Sequence, residues 1–322
     1  MNESKSALTS GLRLVGRNKR YIFWFWLLNL ALAWFGGSAF RANTHAILDH
    51  SLYSDRLLHG FDLSVMWELI DRPEFGSIAA ITAPAIFAAF LFLSAVTVLL
   101  PGVFQGYAST YRLPREEFFR ACGRNLWRIV RLTIVAGIVM SAVAGILFAI
   151  NSALVEKAGE STNELLPFRV QTTGLVLIFL LITTLRIWFD LAAADIVLND
   201  ERTISKSIRK AFRHTFHGLG RLLLSYLVAA ILGAIILLGG IRIWMKVVRP
   251  ENVAGAFVLV QLILLLLLIP RFWQRGVAVS YWQQTMNVPA VTAQPAIPAA
   301  PPPVADESAV SPTTPAAETS GT

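Results

Sequence analysis

The sequence predicts an all-α polytopic membrane protein with six transmembrane helices, arranged as three helical hairpins that each follow a basic amphipathic helix. Three observations support this prediction. Hydrophobic residues make up 55% of the chain and charged residues only 15%, whereas soluble domains carry about 25% charged residues. Six apolar stretches approach the roughly 20 residues that a transmembrane helix needs. Finally, a basic amphipathic segment runs directly into an apolar stretch three times.

The six predicted spans are separated by polar or charged connections. They cover residues 21–40, 77–100, 131–150, 170–192, 222–241 and 254–273. The last apolar run reaches only Pro270, and it is extended to Trp273 on the assumption that Arg271 and Arg275 reach the headgroups. The first run is longer than the apolar part of a signal peptide, so we expect it to be retained.

The spans divide the chain into three predicted regions. Residues 1–20 are expected to form a cytoplasmic amphipathic helix, 21–285 the transmembrane domain and 286–322 a disordered cytoplasmic tail. The tail is rich in proline and alanine and has too little apolar surface to offset its chain entropy. In the external loop 41–76, a short helix is expected on the outer surface.

Basic residues are distributed unevenly between the two sides of these spans. Of the 28 lysines and arginines, 19 fall on the side of the N-terminus, eight fall on the other side, and Arg186 lies inside a span. Because cytoplasmic loops are enriched in basic residues, both termini are predicted to be cytoplasmic. The single cysteine, Cys122, falls on the same side and has no partner in its own chain for a disulfide.

The second basic segment shows the clearest amphipathic pattern. Its arginines recur at helical spacing on one face: Arg120, Arg124, Arg128 and Arg131. A second face is apolar: Phe119, Cys122, Leu126 and Ile129. The third segment repeats the pattern, with Arg209 and Arg213 on its polar face. Such helices are typical of a membrane interface, and we expect these arginines to contact anionic lipids. Their other candidate partner is a membrane protein or a second copy of the chain.

The three basic segments can also be aligned with one another. Leu12–Asn18 aligns with Phe119–Asn125 at a spacing of 107 residues, and Ile208–His214 follows after another 89. Two arginines recur in all three copies. The alignment leaves open whether the hairpins arose by duplication or whether every cytoplasmic loop before a span is simply basic.

One pair of charges is predicted inside the membrane. Arg186 and Asp190 are one helical turn apart in the fourth span, where an ion pair would lower the cost of insertion. Arg186 lies near the cytoplasmic edge, which favours a structural role, and a gate facing a cavity is the alternative. No metal site is expected, because the histidines and acids of the external loop match no ligand spacing.

No recognisable catalytic motif occurs in the sequence. It has no phosphate-binding loop, nucleophile elbow or metalloprotease helix, and no soluble domain to hold one. We therefore expect no enzyme activity and no cofactor. The net charge of +8 is better explained by anionic lipid than by nucleic acid, because the basic residues adjoin the spans.

The segment Leu185–Leu198, followed by Asn199-Asp200-Glu201-Arg202 and the helix Ser205–His214, carries a family resemblance. It resembles bacterial multi-pass proteins related to the membrane domain of glycerophosphoryl diester phosphodiesterases, over about residues 185–235. Those proteins place an arginine late in a span, then an acidic residue and a basic helix. The resemblance implies an all-helical module of the bacterial inner membrane, and it carries over no catalytic residue.

Together these patterns predict a non-enzymatic inner-membrane protein that interacts with lipid or scaffolds partners through its basic face. The alternative is a small transporter or channel component built from the hairpin bundle. A transporter needs a polar path at mid-membrane, and the predicted spans offer few polar residues there.

The topology predicts the location of each loop. Reporter fusions after Gly60, Thr110, Glu160, Lys210 and Ala290 should report outside, inside, outside, inside and inside, because the basic loops stay in the cytoplasm. Paired alkaline phosphatase and fluorescent protein fusions measure both outcomes. An external signal after Thr110 or Lys210 would contradict the topology.

Overall fold

The computed structural model describes residues 7–48, 78–247 and 253–286, together with Ser64, Trp67 and Asp71. The described ranges form nine helices in chain order. They are α1 Ala7–Arg17, α2 Lys19–Gly36, α3 Ser38–Leu48, α4 Ile78–Ala108, α5 Arg115–Gly159, α6 Leu165–Leu198, α7 Ile204–His217, α8 Leu219–Val247 and α9 Val253–Met286. The predicted all-helical class is therefore confirmed.

Five of these helices are long and apolar enough to cross a membrane, namely α4, α5, α6, α8 and α9. The sixth candidate is the pair α2 and α3, which passes only as one span bent by 40°. These helices indicate a membrane-embedded, multi-pass protein. The precise arrangement of six spans in three hairpins stays a prediction, although α2 packs on α4, α5 on α6 and α8 on α9.

Helix boundaries differ from the predicted ones near both ends of the described chain. The predicted first span is interrupted at Gly37, where α2 ends and α3 begins. At the other end of the chain, α9 continues through Pro270 to Met286, beyond the predicted end at Trp273. The missing N–H of Pro270 leaves only one helical hydrogen bond unmade, and packing against neighbouring helices maintains the rest.

The second basic segment is not a separate interfacial helix. Residues 115–131 are the beginning of α5, which runs without interruption for 45 residues. In the first copy, by contrast, α1 ends at Arg17, and Asn18 donates hydrogen bonds to Leu14 in α1 and to Gly106 in α4. Among the described residues, the aligned Asn125 donates only to Ala121 in its own helix, so no contact with a second helix turns the chain there.

Other predictions fall largely outside the described residues. The surface helix of the external loop is described only at Ser64, Trp67 and Asp71, which are helical. The tail beyond Met286 is not described.

The burial pattern repeats in the three aligned basic segments. Val15, Cys122 and Ala211 occupy equivalent positions and are all buried. The structure thus gives the three segments the same inner face.

The core lies at the end of the bundle that carries the basic segments. Its largest fully buried side chains are aromatic: Trp282, Tyr21, Tyr107, Tyr226, Phe25, Phe104, Phe118 and Phe272. Tyr21 stacks on Phe118 with ring centroids 5.3 Å apart, and Phe25 meets Phe272 edge-on at 5.1 Å. We call this region, which includes α1, α7, the first turns of α5 and the last turns of α6 and α9, the basic end.

Away from the basic end the helices expose large apolar side chains. Examples on three helices are Ile138, Phe148, Leu177, Ile235 and Leu238. On α5, Gly137 and Gly145 also face open space, whereas Gly233 on α8 lies 3.5 Å from Pro270 of α9, measured from an added methyl group. At these glycines, close packing between helices is therefore found within the chain on α8 but not on α5.

The first and last helices of the described chain are joined at the basic end. Trp273 and Ser280 of α9 donate hydrogen bonds to the carbonyls of Leu8 and Ala7 in α1. Between them, Gly11 and Gly276 let the two backbones touch. A methyl group added at Gly11 would lie 2.7 Å from the Val277 nitrogen, and one at Gly276 would lie 2.7 Å from the Gly11 carbonyl oxygen.

This crossing predicts that Gly276→Ala destabilises the protein. The added methyl group would meet backbone rather than a movable side chain, so we expect a loss of about 1–3 kcal/mol, as for other overpacked contacts. Thermal unfolding in neutral detergent measures the loss. Gly16→Ala is the control, because a methyl group there meets nothing within 4 Å and should raise helix propensity. Equal effects of the two variants would contradict the close crossing.

Candidate functional site: the basic end and its charged residues

The arginine stripe of α5 is divided between outward and inward roles. Arg120, Arg124 and Arg131 are exposed, whereas Arg128 is partly buried. Arg120 forms an ion pair with Glu116 at 2.7 Å in its own helix, and the Arg131 guanidinium lies over the Trp127 ring at 4.9 Å. Three of the four predicted arginines are thus available to an outside partner.

Arg128 instead ties α5 to the loop between α6 and α7. Its Nη1 atom lies 2.6 Å from the Asp200 carboxylate. This hydrogen bond is the main cause that lowers the pKa of Asp200 below its usual value. Asp200 has a backbone φ of 50°, a left-handed conformation that aspartate tolerates. The ion pair between Arg128 and Asp200 is fully formed at neutral pH, and it weakens as the pH falls through the lowered pKa of Asp200.

The apolar face of α5 divides into buried and exposed side chains. Cys122 and Ile129 are buried as expected, and Leu126 is half-buried, but Phe119 is exposed. The buried aromatic residue is the neighbouring Phe118, which packs against Gly102 of α4. The sequence pattern could not choose between two adjacent phenylalanines, because the choice depends on the space that Gly102 leaves.

On the outer side of α7 lies a basic groove of about 830 Å³. Nearly all of its charged lining is basic or histidine: Lys206, Arg209, Lys210, Arg213, His214 and His217, against the single acid Glu201. Arg209 and Arg213 are exposed, as the sequence predicts for the polar face. The helix packs inward through Ser207, Ala211 and Thr215, which are buried.

Exposed aromatic residues accompany the arginines on both helices. Phe212 and Phe216 of α7 are 46% and 53% exposed, and Phe119 and Trp127 of α5 are 58% and 63% exposed. Aromatic side chains concentrate where a bilayer meets water, because their rings fit among the headgroups. The basic end therefore presents the side chains that a membrane interface selects.

An ion pair with a buried carboxylate joins α7 to the bundle. Asp195 at the end of α6 is almost fully buried and lies 3.0 Å from the Lys210 ammonium. Its Oδ1 atom also accepts a hydrogen bond from Asn199. Lys210 in turn lies over the Trp282 ring of α9. The sequence gave no signal for Lys210 as the partner of Asp195, because the contact depends on how α7 folds back.

Arg186 and Asp190 are close but not tightly paired. The Arg186 Nε atom lies 3.9 Å from Asp190 Oδ2. The same carboxylate oxygen accepts a 2.9 Å hydrogen bond from the Tyr226 hydroxyl of α8. The nearest partner of Asp190 is therefore a tyrosine that the sequence did not indicate, and Arg186 keeps most of its hydrogen-bonding capacity.

The surroundings of His214 in the basic groove favour its neutral form. Partial burial lowers its pKa, and the nearby positive charges of Lys210 and Arg213 lower it further. Its ring meets Trp282 edge-on at 5.6 Å. In the part of the chain that the structure describes, no group of three or more histidine, cysteine or acidic side chains could hold a metal ion.

Comparisons with family models, curated proteins and solved structures gave no match. The resemblance to the phosphodiesterase membrane domain therefore stays a prediction.

The ion pair predicts a large effect of Lys210→Met on stability. Removing the ammonium leaves the buried Asp195 carboxylate without its charged partner, so we expect a loss of about 1–3 kcal/mol. Glu116→Gln is the matched control, because the exposed pair with Arg120 should contribute less than about 1 kcal/mol. Unfolding in neutral detergent measures both. Adding Asp195→Asn to Lys210→Met should recover part of the loss, and equal losses for Lys210→Met and Glu116→Gln would contradict the assignment.

Proposed function

We propose that this protein is a non-enzymatic integral protein of the bacterial inner membrane that binds anionic lipid headgroups through its basic end. The observation that carries the proposal is the pairing of exposed arginines with exposed aromatic rings on two helices of the same end. Arg209 and Arg213 accompany Phe212 and Phe216 on α7. On α5, Arg120, Arg124 and Arg131 accompany Phe119 and Trp127.

Electrostatics supports lipid as the partner. Each basic residue near an anionic membrane surface contributes about 1 kcal/mol of attraction. The groove on α7 presents Lys206, Arg209 and Arg213, besides Lys210 that pairs with Asp195, against the single acid Glu201. It would therefore attract phosphate groups. The aromatic rings add apolar contact with the acyl boundary, which a purely electrostatic surface lacks.

The same charges indicate which end of the helical bundle faces the cytoplasm. The end that carries these helices holds the excess of lysine and arginine, so it belongs on the cytoplasmic side under the positive-inside rule. Both termini would then be cytoplasmic. The cytoplasmic leaflet is also where anionic lipids give the surface its negative potential.

This function predicts a salt-sensitive response to anionic lipid. The full-length protein in neutral detergent should unfold at a higher temperature when phosphatidylglycerol is added than when phosphatidylcholine is added. The difference should shrink at high salt, because the groove is exposed. Arg209→Gln with Arg213→Gln should reduce it by about half, since two of the main charges are lost.

The control for this test is Arg242→Gln. Arg242 is equally exposed but lies near the far end of α8, so the response to lipid should be unchanged. If the double variant responds to phosphatidylglycerol as the unmodified protein does, the groove is not the lipid-binding surface.

A further inference from the structure

A cleft of about 300 Å³ opens between α2, α4, α6 and α9, below the basic end. Three arginines line it: Arg186 of α6, and Arg271 and Arg275 of α9. Its other walls are apolar and include Phe25, Phe92 and Leu93. Arg271 is exposed at the rim of the cleft, whereas Arg186 and Arg275 are partly buried. A partly buried guanidinium beside apolar walls is costly unless an anion accompanies it.

The chain itself supplies too little negative charge for these arginines. Around Arg275, the described charged and ionisable neighbours are Asp190, Arg186, Tyr107 and Tyr226. Asp190 is therefore the single carboxylate of that group, and it already accepts the Tyr226 hydroxyl. Arg275 lies over the Phe272 ring at 5.4 Å. In the described ranges its guanidinium makes no hydrogen bond to the protein, whereas the sequence pattern predicted that it reaches the headgroups.

The position of the cleft favours a lipid over a soluble anion. At 1.5 Å per residue, Arg271 lies roughly 27 Å from the start of α9, and Arg186 roughly 32 Å from the start of α6. Since the hydrocarbon layer is about 30 Å thick, these arginines lie near the headgroups of the basic side. Phe92 lies only roughly 21 Å along α4, so the apolar wall extends to acyl-chain depth. Leu93 is exposed beside it.

We propose that this cleft binds one phosphate-bearing anionic lipid, with its phosphate on Arg186, Arg271 and Arg275 and an acyl chain along Phe92 and Leu93. Arginine suits this role because its planar guanidinium can donate two parallel hydrogen bonds to phosphate oxygens. The proposal deepens the proposed function by naming a discrete intramembrane site, and it differs from the exposed groove on α7 in salt dependence. Partly buried charges are screened less than exposed ones.

Native mass spectrometry of the full-length protein tests the site. After exchange into neutral detergent at high salt, added phosphatidic acid should remain bound at one molecule per chain, and phosphatidylcholine should not. Arg271→Gln with Arg275→Gln should weaken retention by about tenfold for each arginine, as expected for loss of a charge-assisted hydrogen bond. Arg242→Gln should leave it unchanged.

A second variant blocks the cleft without changing its charges. Leu93→Trp places a larger ring at the exposed wall, so it should also release the lipid, and it keeps the test valid if the double arginine variant fails to fold. Retention of phosphatidic acid by a folded double arginine variant, or by Leu93→Trp, would overturn the proposal. Inorganic phosphate that displaces the lipid completely would assign the cleft to a free anion and overturn the lipid assignment.

The two lipid proposals fail separately. Loss of salt-resistant lipid from Arg271→Gln with Arg275→Gln, together with an unchanged phosphatidylglycerol response in Arg209→Gln with Arg213→Gln, would support the cleft and refute the groove. The opposite pattern would support the groove and refute the cleft. If neither double variant changes binding, both proposals are wrong.

Discussion

The fold depends on the cost of moving a guanidinium group away from water and phosphate. Arginine can adjoin a transmembrane helix only where its charge stays near the headgroups or meets a partner. In this chain that constraint gathers α1, α7 and the first turns of α5 at one end. Helices that converge there must pack tightly, and buried aromatic rings such as Tyr21, Phe118 and Trp282 fill the space between them. The far halves of the helices expose apolar side chains that hydrocarbon would surround.

The same constraint separates three kinds of basic residue at this end. Lys210 is neutralised by a buried carboxylate, and Arg128 by an exposed one. Arg209 and Arg213 face outward on α7. Arg275 has neither a hydrogen-bonded protein partner in the described ranges nor an outward position. Formal charge counts treat these residues alike, yet their surroundings give them different chemistry.

Much of the fold could be predicted from sequence, because hydrophobic length and the spacing of arginines are local properties. The six apolar stretches correspond to the long helices, with only the first divided at Gly37. What could not be predicted depends on contacts between distant residues. Identical Gly-Arg-Asn triplets lie at the end of α1 but inside α5. The difference is that Asn18 donates a hydrogen bond to Gly106 of another helix, whereas in the described ranges Asn125 donates only within its own helix. The candidate site shows the same division. The helical spacing of basic residues predicted Arg209 and Arg213 on a polar face. The contacts of Tyr226 with Asp190 and of Lys210 with Asp195 could be found only in the folded chain.

The contact of α1 with α9 also sets an order of assembly. The hydrogen bonds from Trp273 to Leu8 and from Ser280 to Ala7 join residues separated by 265 and 273 positions. A ribosome adding roughly 5–20 residues per second needs tens of seconds to make the second partner after the first. During that interval α1 has left the ribosome but its docking surface does not yet exist. The amphipathic α1 would lie at the membrane surface during that interval. The helices of the basic end can pack together only after α9 has been inserted.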